Sequence, residues 1–201
     1  MYMDARKEIL KGLKRVVIKV GSSIITKREK GKNELANGLN PNNVRLLTRT
    51  IRQIIDRNCE VVLVSSGAIM AGRERLDLHR EDLSIPEKQA CAAIGQSYLM
   101  HTYEKKFEKQ GIKVAQILLG HDDLENRKRF LNAKHTLETL LDHKVLPIIN
   151  ENDSLTIDEI KIGDNDTLSA TVACLLNAQL LIILSDVDGF YSRDPSTKKR
   201  E

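Results

Sequence analysis

The chain has 201 residues, 41% of them hydrophobic, which is enough apolar material for one core and excludes a disordered polypeptide. Its 32 lysines and arginines nearly balance 28 aspartates and glutamates, with both signs scattered, so the surface reads as solvated and not as a nucleic-acid footprint. With 3 Phe, 4 Tyr and no Trp, no basic stretch is interleaved with rings that could stack on bases.

Five short apolar runs rich in Val, Ile and Leu follow one another along the chain: Val16 to Val20, Val61 to Val64, Val114 to Leu119, Val145 to Ile149 and Leu180 to Leu184. Each is continuous and not alternating, as in strands buried on both faces of a parallel sheet. Between them the apolar period becomes helical, over Val44 to Arg57, Glu87 to Lys109, Arg127 to Leu141 and Thr167 to Leu176. The alternation predicts an α/β fold, a three-layer αβα sandwich around an open, mainly parallel sheet. Residues 1–201 are expected to form one domain, since no linker, repeat or low-complexity tract divides them. The polar, mixed-charge stretch from Lys27 to Asn33 reads as an exposed loop.

Cys59, Cys91 and Cys174 are widely spaced and odd in number, which points to a reducing compartment and to neither a disulfide framework nor a metal cluster. The charged start from Met1 to Glu8 does not resemble a signal peptide, and no apolar run approaches the roughly 18 residues of a membrane span. A cytoplasmic protein without membrane or nucleic-acid partners is expected.

In an open parallel sheet, ligands bind beyond the carboxyl ends of the strands. Small, hydroxyl and acidic residues collect after the runs: Gly21-Ser22-Ser23, Ser65-Ser66-Gly67-Ala68, Asn150-Glu151-Asn152-Asp153 and Ser185-Asp186-Val187-Asp188-Gly189. The turns at Gly21-Ser22 and Ser66-Gly67-Ala68 suit close backbone approach to an anion, although either could be only a tight turn. Lys19, inside the first run, needs an anionic partner or an exit to water, because an unpaired buried ammonium costs several kcal/mol. We expect a phosphate as that partner. Asp164-Asn165-Asp166 opens the last helical segment; one such residue would suffice as a cap, and three together point to organising cations or holding an amino group. The five histidines lack metal-ligand spacing, and no metal-ligating set is expected. Neither G-x-x-x-x-G-K-[ST] nor G-x-G-x-x-G occurs, and neither Ser66 nor Ser185 lies in a G-x-S-x-G elbow.

From about Lys14 onward the chain resembles the amino acid kinase superfamily and, within it, the glutamate 5-kinase family. The resemblance rests on Val17-Ile18-Lys19-Val20-Gly21-Ser22-Ser23, Val64-Ser65-Ser66-Gly67-Ala68-Ile69, Ala92-Ala93-Ile94-Gly95-Gln96, Pro147-Ile148-Ile149-Asn150-Glu151-Asn152-Asp153, Gly163-Asp164-Asn165-Asp166 with Leu168-Ser169-Ala170, and Leu184-Ser185-Asp186-Val187-Asp188-Gly189. It implies phosphorylation of the γ-carboxylate of L-glutamate by ATP with Mg²⁺, the first step of proline synthesis. It further implies that Lys19 holds the transferring phosphoryl group and Asp164 orients catalytic lysines. Ser66, Gly67, Asp153, Asn165 and Asp166 would bind glutamate; Lys19, Gly21, Ser22, Ser185 and Asp186 would face the nucleotide. A homo-oligomer, with proline as a feedback inhibitor, follows from the same resemblance. Aspartate, acetylglutamate and uridylate kinases are the alternatives within the superfamily, and a non-catalytic glutamate- or proline-binding module is the alternative outside enzymes. Because relatives carry a further Gly-rich segment ending in Thr-Lys beyond the position of Glu201, the chain is expected to be a fragment, the alternative being a poorly active remnant.

Overall fold

The computed structural model describes residues 10–27, 38–78, 80, 82–153, 165–187 and 189. Five strands, β1 (Arg15–Val20), β2 (Glu60–Ser65), β3 (Lys113–Leu119), β4 (Val145–Glu151) and β5 (Leu180–Leu184), form one sheet in the order β3-β4-β2-β1-β5. Every adjacent pair is parallel. Seven helices are described: α1 (Ser22–Ile25), α2 (Pro41–Ile55), α3 (Ala68–Arg75), α4 (Ile85–Glu108), α5 (His121–Glu125), α6 (Arg127–Asp142) and α7 (Asn165–Leu175).

Side-chain alternation along the strands divides the interior into two cores. Val16, Ile18 and Val20 of β1 join Val61, Leu63, Leu146 and Ile148 against α2, α3 and α4, where Tyr103 and Phe107 are fully buried. Val17, Val62, Val64 and Ile149 face the other way, against Leu137 and Leu141 of α6 and Leu168, Val172 and Leu175 of α7. The connections up to β3 carry their main helices on the first face, and those after it carry them on the second. The chain thus reverses direction across the sheet, and a crevice opens at the carboxyl edge where it does so.

The outer strands depart from the expected burial on both faces. β5 is half-buried, with Ile183 45% exposed, and β3 leaves Lys113, Gln116 and Leu118 exposed, because each has a neighbouring strand on one side only among the described residues.

α6 starts at Arg127 as the apolar period predicts and α7 two residues earlier than predicted, whereas α2 and α4 start three and two residues early because caps and prolines set them. Asn40 Oδ1 accepts from the Asn42 and Asn43 amides ahead of Pro41, and Ser84 pairs with Glu87 in a capping box ahead of Pro86. α1, α3 and α5 have no counterpart among the predicted helices. α3 is held by contact with α4: a Cβ on Gly95 would lie 1.8 Å from the Ala68 carbonyl oxygen, and one on Gly72 would lie 1.9 Å from that of Cys91. Bare backbone at both positions lets the two helices cross at closest approach. The exposed-loop expectation for Lys27 to Asn33 lies, beyond Lys27, outside the described residues.

Candidate active site

The strand order sets which loops are neighbours. Along the carboxyl edge the ends of β4, β2, β1 and β5 and the residues after them follow in that sequence, so Asn150 to Asp153, Ser66-Gly67, Gly21-Ser22 and Ser185-Asp186 form one row. α7 starts beneath the row and brings in Asn165 and Asp166.

Lys19 lies on the β1 face that looks toward α7 and is 7% exposed. Its ammonium forms an ion pair with Asp166 Oδ1. The anionic partner that its burial demands is therefore supplied by a carboxylate of the protein itself. Lys19 Nζ also lies 3.8 Å from where a Cβ on Gly21 would sit, which places the charge directly under the Gly21-Ser22 turn.

The two glycine turns differ. Gly21 has extended backbone, and its N–H donates to the Leu184 carbonyl at 3.0 Å, tying the end of β1 to β5. The Ser66 N–H likewise donates to the Val20 carbonyl at 3.0 Å. These two amides are engaged by the sheet and do not belong to an anion-binding concavity. Gly67, by contrast, has φ +102° in the left-handed region and caps α3, so the turn after β2 requires glycine. That turn is braced from behind: the fully buried Tyr103 hydroxyl meets Ser65 Oγ at 2.9 Å, and Ser65 Oγ donates to the Ser66 carbonyl at 3.0 Å. Burial pushes the Tyr103 phenol well above its ordinary range.

Asn165 lies in the first turn of α7 and donates from Nδ2 to Ser66 Oγ at 2.6 Å and to Asn150 Oδ1 at 3.0 Å. Asn150 is buried and donates in turn to Gln96 Oε1 at 2.9 Å. Two acceptors nearby are buried and receive no hydrogen bond among the described residues, Asn165 Oδ1 and Glu151 Oε1. A buried polar atom left in that state costs about 1–3 kcal/mol, so both invite a donor. Desolvation, with a smaller contribution from the Asp153 charge, pushes the Glu151 carboxyl up to about 7; desolvation raises Asp153 as well. Glu151, Asn152 and Asp153 line a cavity of about 570 Å³ together with Gln96 and the outer face of α4. A larger cavity of about 630 Å³ opens at the opposite edge, between the strand starts, and shares none of these groups.

The predicted residues Lys19, Gly21, Ser22, Ser66, Gly67, Asp153, Asn165, Asp166, Ser185 and Asp186 thus lie at one edge, with Ser185 Oγ accepting from the Val187 amide. Direct side-chain contact links Lys19 to Asp166 and Ser66 to Asn165. Asp164 lies outside the described residues. Gln96, Asn150 and Glu151 were given no role from sequence, although each lies in a motif segment. The legible signal was a polar residue continuing a buried strand run, as Asn150-Glu151 continue Pro147-Ile148-Ile149. Among the described residues no group of three or more His, Cys, Asp or Glu is placed to hold a metal ion, no helix is long and apolar enough to cross a membrane, and the cysteines are free.

A parallel αβα sandwich with a buried lysine at the end of β1 and an acid-opened helix facing it defines a class, and comparison agrees: residues 14–201 match the amino acid kinase family, to which the chain belongs. Within that family it is similar to proteins named glutamate 5-kinase. It is 53% identical over 190 residues to the one from Geobacter metallireducens, covering 94% of this chain and 49% of that protein. The Carboxydothermus hydrogenoformans protein is 51% identical over 192 residues, again with 94% and 49% covered. The Clostridium acetobutylicum protein is 47% identical over 197 residues, with 98% and 71% covered. The chain spans about half the length of the first two relatives.

Proposed function

We propose that the protein phosphorylates the γ-carboxylate of L-glutamate with ATP. The observation that carries this reading is the division of the edge about Lys19. On the β4 and β2 side lie Ser66, Asn165 and the acids at the end of β4, Glu151 and Asp153, which suit an amino acid with an ammonium group. On the β5 side lie Gly21, Ser22, Ser185 and Asp186, the small and polar residues assigned to the nucleotide. The buried ammonium stands between the two sets.

In the reaction a glutamate γ-carboxylate oxygen bonds to the γ-phosphorus of ATP as the bond from that phosphorus to the β–γ bridging oxygen breaks, releasing ADP. The carboxylate is already ionised and needs no general base, so charge neutralisation and alignment supply the catalysis. Lys19 neutralises charge on the transferring group, and Asp166 holds Lys19 in place. Asp164 is proposed to orient catalytic lysines. Asp166 and Asp186 would be the carboxylates to hold a magnesium ion beside the nucleotide's phosphates, where it would neutralise phosphate charge.

Coupled measurement of ADP release with glutamate, aspartate, N-acetylglutamate and UMP tests the reading. Turnover with glutamate is expected, and turnover with UMP alone would overturn the substrate assignment. Calorimetry separates an enzyme from a binding module, since glutamate binding without Mg²⁺-dependent ATP binding would leave only the latter. The reading includes a homo-oligomer and inhibition by proline, checked by light scattering and by proline titration of the same assay. A cytoplasmic location completes it, supported by three unpaired cysteines.

A further inference from the structure

A line of side-chain amides runs from the middle of α4 to the start of α7, and its direction can be worked out. The oxygen and nitrogen ends of an amide are told apart by their partners. The Glu151 backbone N–H can only donate, so the Asn150 atom it meets at 2.9 Å is the oxygen. Asn150 Nδ2 is then the end facing α4, and the Gln96 atom that accepts from it at 2.9 Å is Oε1. The Asn165 atom 3.0 Å from Asn150 Oδ1 must be Nδ2, and the same nitrogen donates to Ser66 Oγ at 2.6 Å.

Both hydrogens of Asn165 Nδ2 are therefore used inside the protein, and Oδ1 is left buried and accepting nothing from the described residues. Ser66 Oγ, being an acceptor from Asn165, keeps its own proton to donate. One rigid line of amides thus presents an acceptor and a hydroxyl donor side by side, the complement of an ammonium group and a carboxylate on one small molecule.

We propose that Gln96 is a positioning residue for the amino-acid substrate. Acting through Asn150, it holds the Asn165 amide with Oδ1 turned to receive the substrate's ammonium group and leaves the Ser66 hydroxyl proton for a substrate carboxylate. Gln96 is 8% exposed and lies in the Ala92-Ala93-Ile94-Gly95-Gln96 segment, to which the reaction as described assigns nothing. The proposal rests on the glutamate kinase reading.

The test is steady-state kinetics on the complete polypeptide. Gln96→Met fills the same space without an acceptor and should raise the KM for glutamate about tenfold, the scale of one lost network hydrogen bond, with kcat and the KM for ATP within about twofold. Gln96→Glu, which still accepts from Asn150, should recover most of the loss. In an Asn165→Ala background, Gln96→Met should change kcat/KM for glutamate by less than about twofold, because its effect passes through Asn165. A purely structural role would lower the melting temperature and leave the glutamate KM of the folded enzyme unmoved. Glutamate turnover with a KM unaltered by Gln96→Met overturns the proposal alone, as does a full tenfold effect persisting without Asn165. Absence of glutamate turnover in the unsubstituted protein overturns the functional reading and the proposal with it. Should Gln96→Met not accumulate folded, Gln96→Asn, which withdraws the oxygen by one methylene, carries the same expectation and the same overturning results.

Discussion

Lys19 and Asp166 hold each other at the centre of the site, and this sets what a substitution there does. By the proposed mechanism Lys19→Ala removes the charge that neutralises the transferring group, so glutamate-dependent ADP release should fall at least about 10²–10³-fold. The Asp166 side chain is 38% exposed, so the carboxylate left behind can be solvated and the circular dichroism spectrum should be unchanged. An active Lys19→Ala protein would remove the mechanism. A second residue-scale effect lies at the opposite edge. Asn58, Gly111, Lys144 and Asn177 each turn a helix end into the next strand at φ between +49° and +70°. Gly and Asn tolerate that region, whereas a lysine there bears the steric cost of its Cβ. Lys144→Gly should stabilise the protein by about 0.5–1 kcal/mol, read as a rise in the urea midpoint.

At the scale of elements, the crossing of α3 and α4 decides where the Ser66-Gly67 turn sits. The Ala68 carbonyl, which a Cβ on Gly95 would strike at 1.8 Å, belongs to the first residue of α3, directly after that turn. Backbone cannot yield as a flexible side-chain end can. Gly95→Ala should therefore destabilise by about 3 kcal/mol or more and shift the turn, seen as a lowered melting temperature together with a raised KM for glutamate. Tyr103 braces the same turn from within α4 through Ser65, so this long helix carries two supports for the proposed substrate side, Tyr103 and, by our proposal, Gln96.

For the molecule as a whole, the acids at the carboxyl end of β4 make stability depend on pH. The Glu151 carboxyl is raised from 4.5 to about 7 in the folded state, and Asp153 is raised as well. Below about pH 4.5 Glu151 is protonated whether folded or not, and its contribution to stability is fully present. As pH rises toward 7 the unfolded chain loses that proton while the folded protein keeps it, so stability falls; above 7 the contribution is gone. Urea midpoints measured between pH 5 and 8 should decline by the equivalent of about 1–3 kcal/mol, and Glu151→Gln should flatten most of that slope. Much of the architecture was legible in the chain, because buried parallel strands must be continuous apolar runs and the helices between them must carry an apolar stripe. The five runs became five parallel strands, and the residues following them gathered at one edge as the topology requires. The burial of β3 and β5 was not legible, since a strand's outer position depends on the order of pairing, which local sequence does not encode. α3 was hidden because Gly72 weakens its intrinsic preference and contact with α4 supplies the stability instead. The sequence by itself determined the class of fold and the residue types at the working edge, since both follow from local patterning and from the cost of burying charge. Only the tertiary structure decided that the anion beside Lys19 is Asp166, that the Gly21 and Ser66 amides are spent on the sheet, and that Asn165 has a defined direction. Those are pairings between segments from 15 to 163 residues apart, settled by which groups packing leaves within hydrogen-bond reach.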